Sequence, residues 1–89
     1  MKGLAAVVLE TLDAGRALGF GEWIREEIGQ TLHAADGSLV DRFDQGTRRH
    51  AARRVDEMTA ALELLQFSGL KAPMTRATVE VLTALIGEK

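Results

Sequence analysis

Apolar residues recur along this chain at three- and four-residue spacing, and no segment alternates convincingly with the two-residue period of a strand. In residues 2–18, Leu4, Val8 and Leu12 form one stripe, while Ala5, Val7 and Leu9 spread apolar surface around much of the remaining circumference. A helix of that kind is usually central and packed on more than one side. Gly3 and Gly15 each weaken it by up to ~1 kcal/mol relative to alanine, a cost compatible with close approach of a neighbour. Gly19 and Gly21 flank Phe20 and supply a stop, because glycine readily takes the left-handed cap conformation.

Residues 22–33 predict a second helix. Glu22, Glu26 and Glu27 favour its N-terminal end through the macrodipole, and Trp23, Ile24, Ile28 and Leu32 supply its buried side. The segment HAADGS breaks it. Ser38, with Asp41 three residues on, resembles a capping box for a short helix through Leu39, Val40 and Phe43. Thr47 is the expected N-cap of the longest helix, which runs to about Ser68. There Ala51, Val55, Met58, Leu62 and Leu65 make the buried stripe, and Gly69 is the expected C-terminal cap. A last helix from about Met74 to Ile86 presents Val79, Leu82, Leu85 and Ile86. The pattern predicts an all-α bundle of four main helices plus a short extra one, forming a single domain over residues 1–89.

Composition narrows the function classes. Apolar residues make up 46% of the chain and aromatics only 4%, so aliphatic side chains and alanine must fill the core. A net charge of −2 gives no global field to attract nucleic acid or an anionic membrane. With no cysteine there can be no disulfide or thiolate metal site. The apolar run near the N-terminus stops at Glu10, too short for a signal-peptide core, and no stretch approaches a membrane span. A soluble, cytoplasmic protein is expected.

Within that acidic chain, residues 48–54 hold four arginines and one histidine. His50, Arg53 and Glu57 share a helix side distinct from the Ala51–Val55–Met58 stripe, with Arg54 between the two. Surface pairing of Arg53 with Glu57 or Asp56 is one reading, worth a few tenths of a kcal/mol per pair. The other is an acidic partner or ligand. In a helix beginning at Thr47, Arg48, Arg49, Arg53 and Arg54 would crowd the positive end of the dipole, and an anion would relieve them. A nucleic-acid grip is disfavoured by the net charge and by the lack of a second basic segment. A metal site is disfavoured too, because neither His33 nor His50 has another ligand-type residue four positions away. The only approach to a dinucleotide-binding turn is GFG at 19–21, which follows a helix rather than a strand. No cofactor site is expected in this chain.

The blocks KGLAAVVLETL, RRHAARRVDEM, a helix ending in GL, and PMTRATVEVL follow one another in an order that resembles the C-terminal helical domain of 6-phosphogluconate dehydrogenase-like proteins, within the β-hydroxyacid dehydrogenase superfamily. The resemblance covers nearly the whole chain, and its middle block is the most specific part. It implies a partner Rossmann domain, in cis or in trans, that binds NAD or NADP, with the substrate held between the two domains. It further implies that Lys2 acts as general acid/base on the substrate hydroxyl, a role that requires a lysine able to accept a proton near neutrality. Many superfamily members carry an asparagine four residues after that lysine; here the position is Ala6, which puts the substrate geometry in doubt. The family pattern retains His50, Arg54, Glu57 and Met58. The preferred role for Arg49, His50, Arg53, Arg54 and Glu57 is a hydrogen-bonded interdomain network, with Arg49 or His50 as candidates to reach an anionic substrate.

Because the chain starts at the lysine, the nucleotide-binding half is absent from this sequence. A fragment or stand-alone remnant, inactive by itself, is the expectation. The apolar circumference of the first helix predicts a homodimer. A non-enzymatic helical module that holds an acidic partner on its arginine face is the alternative.

Overall fold

The computed structural model describes residues 1–87, and among these every regular element is an α-helix. In chain order they are α1 (Lys2–Ala17), α2 (Gly21–Ala34), α3 (Ser38–Arg49), α4 (Ala51–Phe67) and α5 (Pro73–Ile86). Helices α1 and α2 form one hairpin, α4 and α5 another; α5 also packs on α1 and α3 and so joins the parts. The first helix does pack on two elements, as its apolar circumference predicts, but the central element is α5.

Both hairpins are closed by the same device. At the end of α1, Gly19 (φ 90°) lets the Phe20 amide donate to the Gly15 carbonyl at 2.9 Å and its own amide to the Arg16 carbonyl at 3.2 Å. At the end of α4, Gly69 (φ 86°) does likewise: the Leu70 amide donates to the Leu65 carbonyl and the Gly69 amide to the Gln66 carbonyl, each at 3.0 Å. These are Schellman closures, in which glycine takes the left-handed position that a β-carbon would penalise. Both glycine stops expected from the sequence are therefore seen.

The α1–α2 hairpin is tight at Gly15, the one buried residue of α1. A β-carbon there would run into the side chain of Ile24, a β-branched residue with little freedom to turn away. Around Gly3, by contrast, nothing lies within reach. Gly15→Ala adds an overpacking cost of roughly 1–3 kcal/mol and recovers about 1 kcal/mol of helix propensity, so a net loss of about 1 kcal/mol is expected. Gly3→Ala should instead be neutral or mildly stabilising. Urea midpoints of the two variants check this; a shift in the same direction for both would rule out close approach at Gly15.

Several expected boundaries and faces are corrected. The extra helix α3 is not short: it spans twelve residues and includes Thr47. Thr47 is thus not an N-cap, and α4 begins only at Ala51. The Ser38–Asp41 capping box does not form. Asp36 does that work, one oxygen accepting from the Ser38 amide at 2.8 Å and from the Ser38 hydroxyl at 2.5 Å. On α2, Ile24 and Ile28 are half-buried as expected, but Trp23 and Leu32 face solvent, as do Val40 and Phe43 on α3. The buried apolar side chains among the described residues are only Ala51, Ala72 and Leu82.

The result is a thin core with much surface. The radius of gyration is 13.8 Å, where a compact chain of this length would have about 12 Å. The accessible surface is 6720 Å², against about 5,100 Å² for a compact monomer of equal mass. The helices are well formed; what they lack is cover.

Candidate functional site

The arginine cluster straddles a junction between two helices. His50 closes α3 and opens α4 with φ −111° and ψ 18°, neither helical nor left-handed. Backbone bonding continues through it, from the His50 amide to the Gly46 carbonyl at 3.1 Å and from the Arg54 amide to the His50 carbonyl at 3.0 Å. Arg48 and Arg49 therefore lie in the last turn of α3, where the negative end of the dipole favours cations. Only Arg53 and Arg54 remain near the start of α4. The crowding expected from a helix starting at Thr47 does not exist, and with it goes the electrostatic reason for an anionic partner.

The local bonds are modest. Arg48 pairs with Asp44 at 2.8 Å, and Arg53 with Glu57 at 3.5 Å, all on exposed side chains. The Arg54 guanidinium, half-buried, donates to the Thr47 hydroxyl at 3.3 Å and so ties the end of α3 to the start of α4. No hydrogen bond joins the His50 ring or the Arg49 guanidinium to another side chain among the described residues. The structure thus brings Arg53 to Glu57 and Arg54 to Thr47, and leaves Arg49 and His50 outside any shared network. Exposed pairs of this kind contribute at most about 1 kcal/mol.

Lys2 is the first residue of α1 and is exposed. It lies on α1, whereas the arginines of the cluster lie on α3 and α4. On α1 the residues at four, seven and eleven positions beyond Lys2 are Ala6, Leu9 and Asp13, which share its helix face. All three line a cleft of about 390 Å³ between α1 and the α4–α5 turn, with Leu65, Leu70 and Ala72 on the opposite wall.

Beside that cleft stands the residue that sequence reasoning missed. Glu10 of α1 caps the N-terminus of α5: its carboxylate accepts from the Met74 amide at 2.7 Å, the Thr75 amide at 2.8 Å and the Thr75 hydroxyl at 2.7 Å. Helix α5 begins at Pro73, and the residue before it, Ala72, is left-handed (φ 48°) and offers no side-chain oxygen. Its free amides need an acceptor, and another helix provides it. Partial burial works against the Glu10 charge. The Thr75 hydroxyl, the Met74 and Thr75 amides and the nearby Arg76 cation outweigh it and hold the carboxyl below its ordinary pKa. The sequence signal was an uncapped helix start; it could not say which distant residue fills it.

The described residues contain no strand–glycine-turn–helix of the kind that cradles a nicotinamide dinucleotide. No strand precedes a glycine turn, Gly19 is spent on the closure of α1, and Gly21 lies against the Arg16 side chain. No group of three or more potential metal ligands occurs among the described residues, and no helix among them is long and apolar enough to cross a membrane.

A family model described as "Domain of unknown function (DUF1932)" matches residues 16–85. The chain belongs to the DUF1932 family. This domain is the C-terminal helical domain of 6-phosphogluconate dehydrogenase-like proteins, as the sequence resemblance implied. Comparison with curated proteins and with solved structures returned no match. The DUF1932 match runs from the end of α1 through most of α5 and contains the His50 junction. Lys2, Ala6 and Glu10 lie before it.

Proposed function

We infer that this DUF1932 chain is the substrate-cleft and dimerisation domain of an NAD(P)-dependent 6-phosphogluconate/β-hydroxyacid dehydrogenase-like oxidoreductase. It works against a Rossmann domain supplied in cis or in trans and is inactive without one. Family membership supports the dehydrogenase-like part of this reading. The observation that carries the need for partners is the exposed surface. It exceeds that of a compact monomer by about 1,600 Å², roughly twice what each partner buries in an interface of standard size. Much of it is apolar: Leu4, Val7 and Leu9 on α1, and Phe20 with Trp23, whose rings meet edge to face at 6.1 Å.

In the assembled enzyme Lys2, at the open end of α1, takes the proton from the substrate hydroxyl. Its lack of burial in this chain suits a residue completed by the partner domain. The nucleotide and its chemistry belong to that domain. In the same reading the arginine junction holds α3 to α4 and presents Arg49 toward the domain boundary.

Sedimentation equilibrium of the chain at tens of micromolar tests the dimer. A species of twice the 9.6 kDa chain mass is expected. A monomer stable across that range, with unchanged helicity, would sink the dimerisation half of the proposal.

A further inference from the structure

We propose that the cleft between α1 and the α4–α5 turn binds a small carboxylate with an apolar tail, the tail inside the cleft and the carboxylate against Lys71. Its volume of about 390 Å³ lies within the range of small-molecule pockets. Apolar residues from both hairpins line it, among them Leu9 from α1 and Leu65 and Leu70 from the α4 end. Leu65 and Leu70 are the two residues joined by the Schellman bond, so this wall is fixed by the backbone.

Three charged residues line the cleft: Glu10, Asp13 and Lys71. Both acids are engaged, Glu10 with the amides of α5 and Asp13 with Arg16 at 2.8 Å. Lys71 is exposed, and its ammonium has no ion pair among the described residues. Both acids keep their charge but are held by donors, so Lys71 is the one charged residue of the cleft left without a partner, beside walls that offer a polyhydroxylated ligand few hydrogen-bond partners. A monocarboxylate with a tail of about six carbons satisfies both. Identifying such a ligand with the substrate of the proposed dehydrogenase rests on the reading above; the binding itself does not.

Titration of the ¹⁵N-labelled full chain with sodium hexanoate, followed by amide shifts, tests the site. Hexan-1-ol serves as the uncharged tail, and acetate and inorganic phosphate as charge without tail. Saturable shifts confined to Ala6, Leu9, Leu70 and Ala72 are expected with hexanoate, and no saturation with acetate or phosphate. Lys71→Gln, at an exposed position, should weaken hexanoate about three- to fivefold and leave hexanol unchanged. Ala6→Leu should fill the cleft and abolish saturation by both. Shifts that do not saturate, that map elsewhere, or that are indifferent to Lys71→Gln would each overturn the proposal. Saturable binding by a chain that stays monomeric would instead leave the cleft standing and remove the dimer.

Discussion

Leu82→Ala is expected to lower the unfolding free energy by about 3 kcal/mol. Leu82 is 4% exposed and is the one large apolar side chain among the buried described residues; the others are Gly15, Ala51 and Ala72. It sits on α5, the helix that touches α1, α3 and α4. Truncation there loses the transfer energy of the side chain and leaves a cavity in a core with no other large buried side chain among the described residues. A domain of this length has a total stability of about 4–13 kcal/mol, and so thin a core argues for the lower part of that range. The melting temperature should fall by more than about 12 °C. Val81→Ala, the adjacent position at 59% exposed, should change stability by less than about 0.5 kcal/mol. Urea unfolding of both variants decides the matter; equal small losses would mean that the core is not where α5 meets its neighbours.

Glu10→Ala is expected to cost about 2–3 kcal/mol, because it orphans two amides at a half-buried helix end and removes a charge-assisted acceptor. Glu10→Gln keeps the shape and one acceptor oxygen, and should cost about half as much. The pH dependence follows from the direction of the shift. The folded-state pKa of Glu10 lies below its unfolded value of 4.5, so folding favours the ionised form. Its contribution is fully present above that value and is lost as pH falls through the lower folded-state pKa. Asp36, lowered by hydrogen bonds from the Ser38 hydroxyl and amide, acts in the same direction. Chemical denaturation between pH 6 and pH 3 should show wild type losing more stability than Glu10→Gln. Parallel curves would mean that Glu10 is not the cap of α5.

The helices were legible because their signals are local. Three-residue and four-residue spacing gave all five, and Gly19 and Gly69 marked two ends by the only conformation that closes those turns. The α4 stripe from Ala51 to Leu65 was right because it belongs to a hairpin buried on that side. What failed depended on neighbours. Trp23 and Leu32 look like core residues by type, yet α2 packs chiefly on one helix, α1, and both stay in solvent. Thr47 has the right chemistry for an N-cap, but the chain was already helical there. That single boundary reversed the electrostatics of Arg48 and Arg49. Glu10 read as the end of an apolar run, since its partners lie 64 and 65 residues away. Of the candidate site residues, Arg53 and Glu57 were correctly paired by spacing. The role proposed for Lys2 rests on the family resemblance and not on any contact that Lys2 makes in the structure.

The most direct test of that architecture is to pass a lysate of the native source cells over an immobilised nicotinamide dinucleotide and follow this chain with an antibody. Retention, elution by free NAD or NADP, and a native mass well above the 9.6 kDa of the chain are the predicted result. An attached or associated nucleotide-binding domain adds roughly 100–200 residues. A 9.6 kDa species that flows through unretained would contradict the dehydrogenase reading.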